Sequence, residues 1–211
     1  MSAADVARWQ PSLLGAGAPA VDDSFRSLAR HQLSPDAWVD HCPGWLSGPD
    51  TLFEQLLSIA TWRGHERVMY GGRVAEPRLR ARYDTLPPLA VLKDAGRLLS
   101  ARYSVDFDSV GLNLYRDGRD SVAWHGDRIP TDLAEPLVAT LTLGTRRRFL
   151  MRPKGGGRSL DFAPASGDLL VMGGTSQRTW QHSVPKVAAA GPRISVTFRH
   201  WVLGSAYRTR S

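Results

Sequence analysis

The chain is poor in cysteine: Cys42 is the only one in 211 residues. A lone thiol cannot close an internal disulfide, and its scarcity fits a reducing compartment. Long apolar runs are missing too, with nothing near the roughly 18 residues that a membrane span needs. Residues 1–19 hold no apolar core of the secretory-signal type. A soluble, cytoplasmic protein without membrane association is expected, and a monomer. Internal repeats and low-complexity tracts are absent, which sets aside solenoids and disordered arrays. Acidic residues are in deficit, 20 against 27 Lys and Arg, for a formal charge of +7 and a pI of about 10.2. Such a balance favours polyanionic partners through counterion release. It is no proof of one, since many basic proteins bind no nucleic acid.

A chain of this length is most simply one domain and buries a core without disulfides or structural metals. Residues 1–22, rich in Ala, Gly and Pro, read as a loose extension ahead of a domain over 23–211. Asp50 is placed to cap a helix through Leu52, Phe53, Leu56, Leu57, Ala60 and Trp62, whose apolar residues fall at helical spacing. A second helix is expected over Leu89 to Ala101, with Gly96 weakening it. From about residue 104 the texture changes to alternating strands: Val110, Leu112 and Leu114; Ala139, Leu141 and Leu143; Leu169 to Met172; Ile194, Val196 and Phe198. Turn signals such as Asp117-Gly118 and Gly167-Asp168 lie between them. The expected fold is mainly β with flanking α, the N-terminal helices packed on one sheet.

The informative cluster is His125-Gly126-Asp127, followed far downstream by His182 and the arginine-spaced strand Arg193 to Arg199. In a strand, residues two apart point to one side, so His125 and Asp127 can reach one ion together. Two imidazoles and a carboxylate on one face of Fe(II) leave other positions open for substrate and O2, although the same donors accept other divalent metals. A lone His-x-Asp is weak, and an ordinary hydrogen-bonded histidine is the alternative. Arg193 and Arg199 share a strand face with Ser195 and Thr197. Inward-facing guanidiniums need acidic partners, and a small dicarboxylate satisfies them by bidentate bonds. Solvent exposure or internal ion pairs are the competing reading. Asn113 and Tyr115 share a face in the same way and add polar contacts to such a ligand.

At these residues the chain resembles the AlkB family of Fe(II)/2-oxoglutarate dioxygenases, in motif style the duplex-DNA-repairing homologues. The ordered set is Asn113-Leu114-Tyr115 with Asp117-Gly118, His125-Gly126-Asp127, Leu141-Thr142-Leu143-Gly144, Gly167 to Met172, His182-Ser183-Val184-Pro185 and Arg193 to Arg199. The resemblance implies a double-stranded β-helix (jelly roll) over about 104–203. It implies Fe(II) held by His125, Asp127 and His182, with 2-oxoglutarate and O2 as co-substrates. Arg193 would pair with the distal carboxylate, assisted by Tyr115, with Asn113, Ser195 and Arg199 nearby. Tyr70-Gly71-Gly72-Arg73, Glu76-Pro77-Arg78 and Tyr83 resemble the nucleotide-recognition lid of those homologues, spanning about 65–87. Met69 or Tyr70 would then stand at its tip, with Arg73 and Arg78 touching nucleic acid.

The implied activity is oxidative demethylation of N-alkylated bases in DNA, single- or double-stranded. The basic run Arg146, Arg147, Arg148, Arg152, Lys154 and Arg158 around Gly155-Gly156-Gly157 is the candidate backbone grip. A solvated basic hairpin is the plainer alternative. Trp124 and Trp180 adjoin metal ligands but, pointing away from them, are expected to pack in the core. Three departures from the family pattern stand out, the first two bearing on base preference and the third, lightly, on co-substrate contacts. Ile129 stands where an acidic base contact is common, Asp84-Thr85-Leu86-Pro87-Pro88 replaces an aromatic-rich segment, and Ser195 replaces Asn. An RNA demethylase, a hydroxylase of a protein or small molecule, and a non-catalytic nucleic-acid-binding module are the alternatives.

Overall fold

A computed structural model of the chain describes residues 9–12, 15–69, 72–83, 87–127, 129–130, 133 and 135–200. Strands β1 (Ala20–Val21) and β4 (Leu46–Ser47) pair with each other, and β2 (Ala29–Ser34) and β3 (Ala37–Cys42) form a hairpin. Helix α1 (Pro49–Ile59) follows, then β5 (Arg63–Met69), β6 (Gly72–Tyr83) and α2 (Ala90–Tyr103). The remaining strands are β7 (Ser109–Tyr115), β8 (Val122–His125), β9 (Val138–Gly144), β10 (Leu150–Pro153), β11 (Leu160–Asp161), β12 (Leu169–Gly174), β13 (Trp180–Val184) and β14 (Arg193–Arg199), with the short helix α3 (Ser176–Thr179) before β13. Eight strands make the larger sheet, ordered β2-β3-β12-β9-β14-β7-β6-β5, and four make the smaller, ordered β11-β10-β13-β8. All pairings among the described strands are antiparallel. This is the expected jelly roll, but its larger sheet recruits β2, β3, β5 and β6 from before residue 104.

Alternation along the central strands divides the core in two. Leu112, Leu114, Leu141, Leu143, Ile194, Val196 and Phe198 pack with Leu52, Phe53 and Leu56 of α1 and Leu92 and Leu99 of α2. The opposite side of the larger sheet meets the smaller one through residues such as Tyr115, Met172, Phe149, Met151 and Trp180. That second layer also carries the polar side chains of the site.

Three local expectations are corrected. Asp50 does not cap α1: the N-cap is Gly48, at φ 61°, and Pro49 opens the helix. The buried Asp50 carboxylate instead accepts the Ser12 amide at 2.6 Å. Gly48 suits the place because its φ is positive and a Cβ would stand 2.6 Å from the Gly17 carbonyl oxygen. The helix ends at Ile59, and the Trp62 indole donates to the Leu57 carbonyl, 3.2 Å away, meeting one of the carbonyls that a helix end leaves open. Residues 9–12 and 15–22 are not loose either. Trp9 stacks on Phe53 with ring centroids 4.1 Å apart, and β1 pairs with β4.

Asp168, at the start of β12, ties three segments together. It accepts the amides of Gly44 and Ala165, both at 2.9 Å, and meets His41 Nε2 at 3.1 Å. Burial by itself would raise its pKa, but these bonds outweigh burial and the net shift is downward. A depressed carboxyl pKa contributes stability above the unfolded value and loses it as pH falls through the folded value. Asp168→Asn is therefore expected to cost about 2 kcal/mol at neutral pH. The deficit should hold down to about pH 4 and shrink below it, which urea melts across pH 3–7 measure.

Candidate active site

The site is assembled by strand register. On β8 and β13, His125 and His182 are direct partners, and their rings lie with centroids 4.3 Å apart and planes at 58°. The Asp127 carboxylate follows β8, with Oδ2 3.6 Å from His182 Nε2. His125 Nδ1 lies 2.8 Å from the Ala123 carbonyl, which assigns the ring proton to Nδ1 and the lone pair to Nε2. Phe149 stacks on His182 at 5.2 Å. Burial pushes the His182 pKa down to about 4, against the pull of Asp127, so the ring is neutral at physiological pH. The Asp127 side chain is largely buried, 10% exposed. Burial would raise its pKa, yet the neighbouring charges of Arg199 and His182 outweigh that and hold the carboxyl well below its usual range.

Two imidazoles and an ionised carboxylate on adjoining strands are the donor chemistry that Fe(II) accepts. Among the described residues, however, no three such groups already converge around one point. Asp127 Oδ1 is meanwhile held by Arg199 Nη2 at 2.5 Å.

The middle residue of the triplet has a steric role. A Cβ on Gly126 would stand 2.9 Å from the Gln177 carbonyl oxygen in α3. Gln177, buried itself, accepts the Asp127 amide through Oε1 at 2.9 Å. Gly126→Ala must push α3 back and disturb that bond. We expect an intact fold in a thermal melt but iron affinity reduced about 10–100-fold, the usual scale for groups that orient ligands.

Beside the histidines, the side chains of β7 and β14 that face away from the helices form a polar row. Arg193 pairs in register with Tyr115 and Ser195 with Asn113. Arg193 is 0% exposed and donates to Thr142 Oγ1 at 3.1 Å, with its guanidinium 5.2 Å from the Tyr115 ring centroid. Its Nε and Nη1 are buried without a hydrogen-bond partner. Unmatched donors on a buried cation are costly and fit an anionic ligand such as a carboxylate. Burial pushes the Arg193 pKa down from its ordinary value. Arg199 stands further along, against Asp127, in space that Gly111 provides: a Cβ there would be 3.0 Å from Arg199 Nη1.

The nucleic-acid candidates separate. Arg78 is 5% exposed and turned inward: its Nε donates to Asn113 Oδ1 at 3.0 Å and its Nη2 meets Glu76 Oε2 at 3.2 Å. Arg147 is buried as well, donating to the carbonyls of Asp117, Asp120 and Pro185 at 2.9, 3.0 and 2.7 Å. Neither is placed to meet a phosphate, because each is spent on internal acceptors. Arg146, Arg148, Lys154 and Arg158 are exposed, with Arg148 paired to Asp161. Gly155, Gly156 and Gly157 all have positive φ, turning the chain between β10 and β11. Arg152 lies over Trp124, 4.1 Å from its ring centroid. Trp180 is buried in the core, but Trp124 is only partly buried and does not join it. Met69 and Gly72 pair across the β5–β6 hairpin, and Arg73 follows on β6. Tyr70 lies outside the described residues. Ile129 lines a small apolar cavity with Pro130, Leu133, Pro136, Leu137 and Arg199.

Gln177, Thr142, Gly111 and the inward Arg78 escaped the sequence reading. Only Gly111, a glycine inside a strand, signals close approach of another group.

A jelly roll with paired imidazoles, a carboxylate and a buried unsatisfied arginine between its sheets has the architecture of a metal- and oxoacid-dependent oxygenase. Residues 50–199 match the family model of the 2OG-Fe(II) oxygenase superfamily. The chain is 33% identical over 186 residues to the bovine (Bos taurus) alpha-ketoglutarate-dependent dioxygenase alkB homolog 3, covering 75% of this chain and 64% of the relative. The mouse (Mus musculus) counterpart is 32% identical over 194 residues, covering 79% and 68%. A DNA oxidative demethylase ALKBH2 from Arabidopsis thaliana is 35% identical over 141 residues, covering 56% and 44%. Among solved structures, OsALKBH1 superposes with a TM-score of 0.59 at 15% identity, over 82% of this chain and all of that one. A Trichoplax adhaerens prolyl hydroxylase superposes at 0.60 and 12% identity, over 82% and 87%. These two speak for the fold. The chain belongs to the AlkB family within the 2OG-Fe(II) oxygenase superfamily, whose members use Fe(II), 2-oxoglutarate and O2. Among the described residues no helix is long and apolar enough to cross a membrane.

Proposed function

We propose that the protein demethylates N-alkylated nucleobases in DNA by direct reversal. The observation that carries the reading is Arg193, a fully buried guanidinium with two unpaired donors against Tyr115, in the layer where Tyr115 packs with Phe149, the ring stacked on His182. It calls for a carboxylate ligand next to a metal-binding set, and the similarity to proteins named alkB homolog 3 and ALKBH2 points to the substrate class.

His125, Asp127 and His182 hold Fe(II) in this reading. The bound metal, with 2-oxoglutarate and O2, supplies the oxidation that hydroxylates the N-linked carbon while the oxoacid becomes succinate and CO2. The hydroxylated group then leaves as an aldehyde, and the base is restored. The protein's share is positioning. Arg193 and Tyr115 anchor the distal carboxylate, and Asn113 and Ser195 line its flank. Arg199 fixes Asp127 and adds positive charge near the oxoacid. Phe149 and Trp180 keep the His182 side dry.

A base in a duplex must leave the stack to reach this site, at a cost of a few kcal/mol that falls for lesions that pair poorly. The exposed cations Arg146, Arg148, Lys154 and Arg158, with Arg152, grip the backbone. The β5–β6 hairpin contacts the strand near the lesion. The apolar setting of Ile129 leaves base recognition to other groups, so both DNA and RNA lesions belong in the test. Oligonucleotides bearing 1-methyladenine or 3-methylcytosine, incubated with protein, Fe(II) and 2-oxoglutarate in air, should lose about 14 mass units, a methyl replaced by hydrogen. His125→Ala should leave them unchanged. Succinate release stimulated by a protein or small molecule, with every oligonucleotide inert, would overturn the reading.

A further inference from the structure

We infer that Arg78 is a positioning residue of the co-substrate pocket: it locks the Asn113 side-chain amide with its oxygen toward β6 and its NH2 toward the oxoacid. The inference rests on the reading above, in which Asn113 contacts 2-oxoglutarate.

An Asn side chain has two ends of nearly equal shape, one that accepts and one that donates. Which end faces a ligand is decided by what the other end meets. A guanidinium only donates, so the end facing Arg78 must be the oxygen. Arg78 Nε reaches that oxygen at 3.0 Å. The guanidinium is in turn held from β6 by Glu76 Oε2, at 3.2 Å from Arg78 Nη2. Arg80 shares the same carboxylate oxygen at 3.3 Å. Arg78 is only 5% exposed, so releasing the amide would mean giving up a buried contact.

Across the sheet, Asn113 is in register with Ser195, and the next inward pair along the two strands is Tyr115 with Arg193. Arg193 contributes the buried Nε and Nη1 donors. An amide locked donor-inward adds its N–H groups to the same lining, which suits an anion. The reversed amide would turn an oxygen toward the carboxylate and repel it. Removing Arg78 thus frees the amide to sample both orientations and weakens the oxoacid through Asn113 rather than by direct contact. The role also accounts for an arginine of the lid strand pointing inward rather than toward a nucleic-acid backbone.

The test is equilibrium binding of 2-oxoglutarate to the full chain loaded with Mn(II), without O2, by calorimetry. Arg78→Met, Asn113→Ala and the double variant form a cycle, with a thermal melt for each. Both single variants should weaken 2-oxoglutarate about five- to twentyfold, and the double variant no more than Asn113→Ala alone, the signature of residues acting as one unit. Oligonucleotide affinity should stay at the wild-type level. Glu76→Gln gives a second route if Arg78→Met does not fold: it loosens the guanidinium and should weaken the oxoacid about two- to fivefold, an effect absent in the Asn113→Ala background. Additive losses in the cycle overturn the inference, as does a lowered melting temperature with unchanged 2-oxoglutarate affinity. Weakened oligonucleotide binding alone returns Arg78 to the nucleic-acid contacts and overturns it too. Unchanged affinity in Asn113→Ala overturns it together with the Asn113 assignment. Wild-type protein that binds no 2-oxoglutarate strikes at the underlying reading instead, and the two failures are told apart by that first titration.

Discussion

Asp127→Ala is expected to bind no stoichiometric iron and to turn over at least about a thousandfold more slowly, a loss of about 4 kcal/mol in transition-state stabilisation. Asp127 is the one anionic member of the candidate ligand set, so its removal takes away charge as well as a donor. It also strips Arg199 of its partner at 2.5 Å, and a partly buried guanidinium without its carboxylate adds a stability penalty of about 1–3 kcal/mol. Iron retained after gel filtration, read by metal analysis, and succinate release, read by mass, check the two effects. Full iron occupancy with turnover above a tenth of wild type would remove Asp127 from the metal site.

Arg193→Met has effects of opposite sign on binding and stability. The native guanidinium is fully buried, donates to Thr142, lies against Tyr115 and keeps two buried donors without a hydrogen-bond partner. Replacing an incompletely paired buried charge by an apolar side chain of similar length stabilises a fold by about 1–3 kcal/mol. The same change deletes a charge-assisted anchor and should weaken 2-oxoglutarate by about a hundredfold, near 2.7 kcal/mol. The ligand-free variant should therefore melt higher than wild type, and 2-oxoglutarate should no longer raise its melting temperature. A variant that melts lower and still responds to 2-oxoglutarate would show that Arg193 serves the fold rather than the co-substrate.

Much of the molecule was legible in one dimension because strands have a period of two. The alternation of Ile194, Val196 and Phe198 with Arg193, Ser195 and Arg199 sorted β14 into a helix-side face and a site face, and the register with β7 places Asn113 and Tyr115 beside them. The same period covers the His125-Gly126-Asp127 triplet only in part, because β8 ends at His125 and Asp127 lies beyond it. Helix ends were less legible. Asp50 has the chemistry of a cap, but the Ser12 amide, distant in sequence, competes for its carboxylate. Basic residues were the least legible. In Arg146-Arg147-Arg148 the outer two are exposed and the middle one is clamped by three carbonyls. Charge alone does not say which way a guanidinium points.

By itself, the sequence determined the chemistry on offer: two imidazoles, a carboxylate, a strand of arginines and a basic surplus, all in an order that repeats the AlkB pattern. Those properties are local, since residue type and a strand's two-residue period need no knowledge of distant segments. Only the tertiary structure decided which cations face inward, what Gly126 and Gly111 make room for, and that Gln177 and Arg78 brace Asp127 and Asn113. Those outcomes depend on contacts between segments far apart in the chain, where packing and the need to pair every buried polar group choose among side chains that look alike in sequence.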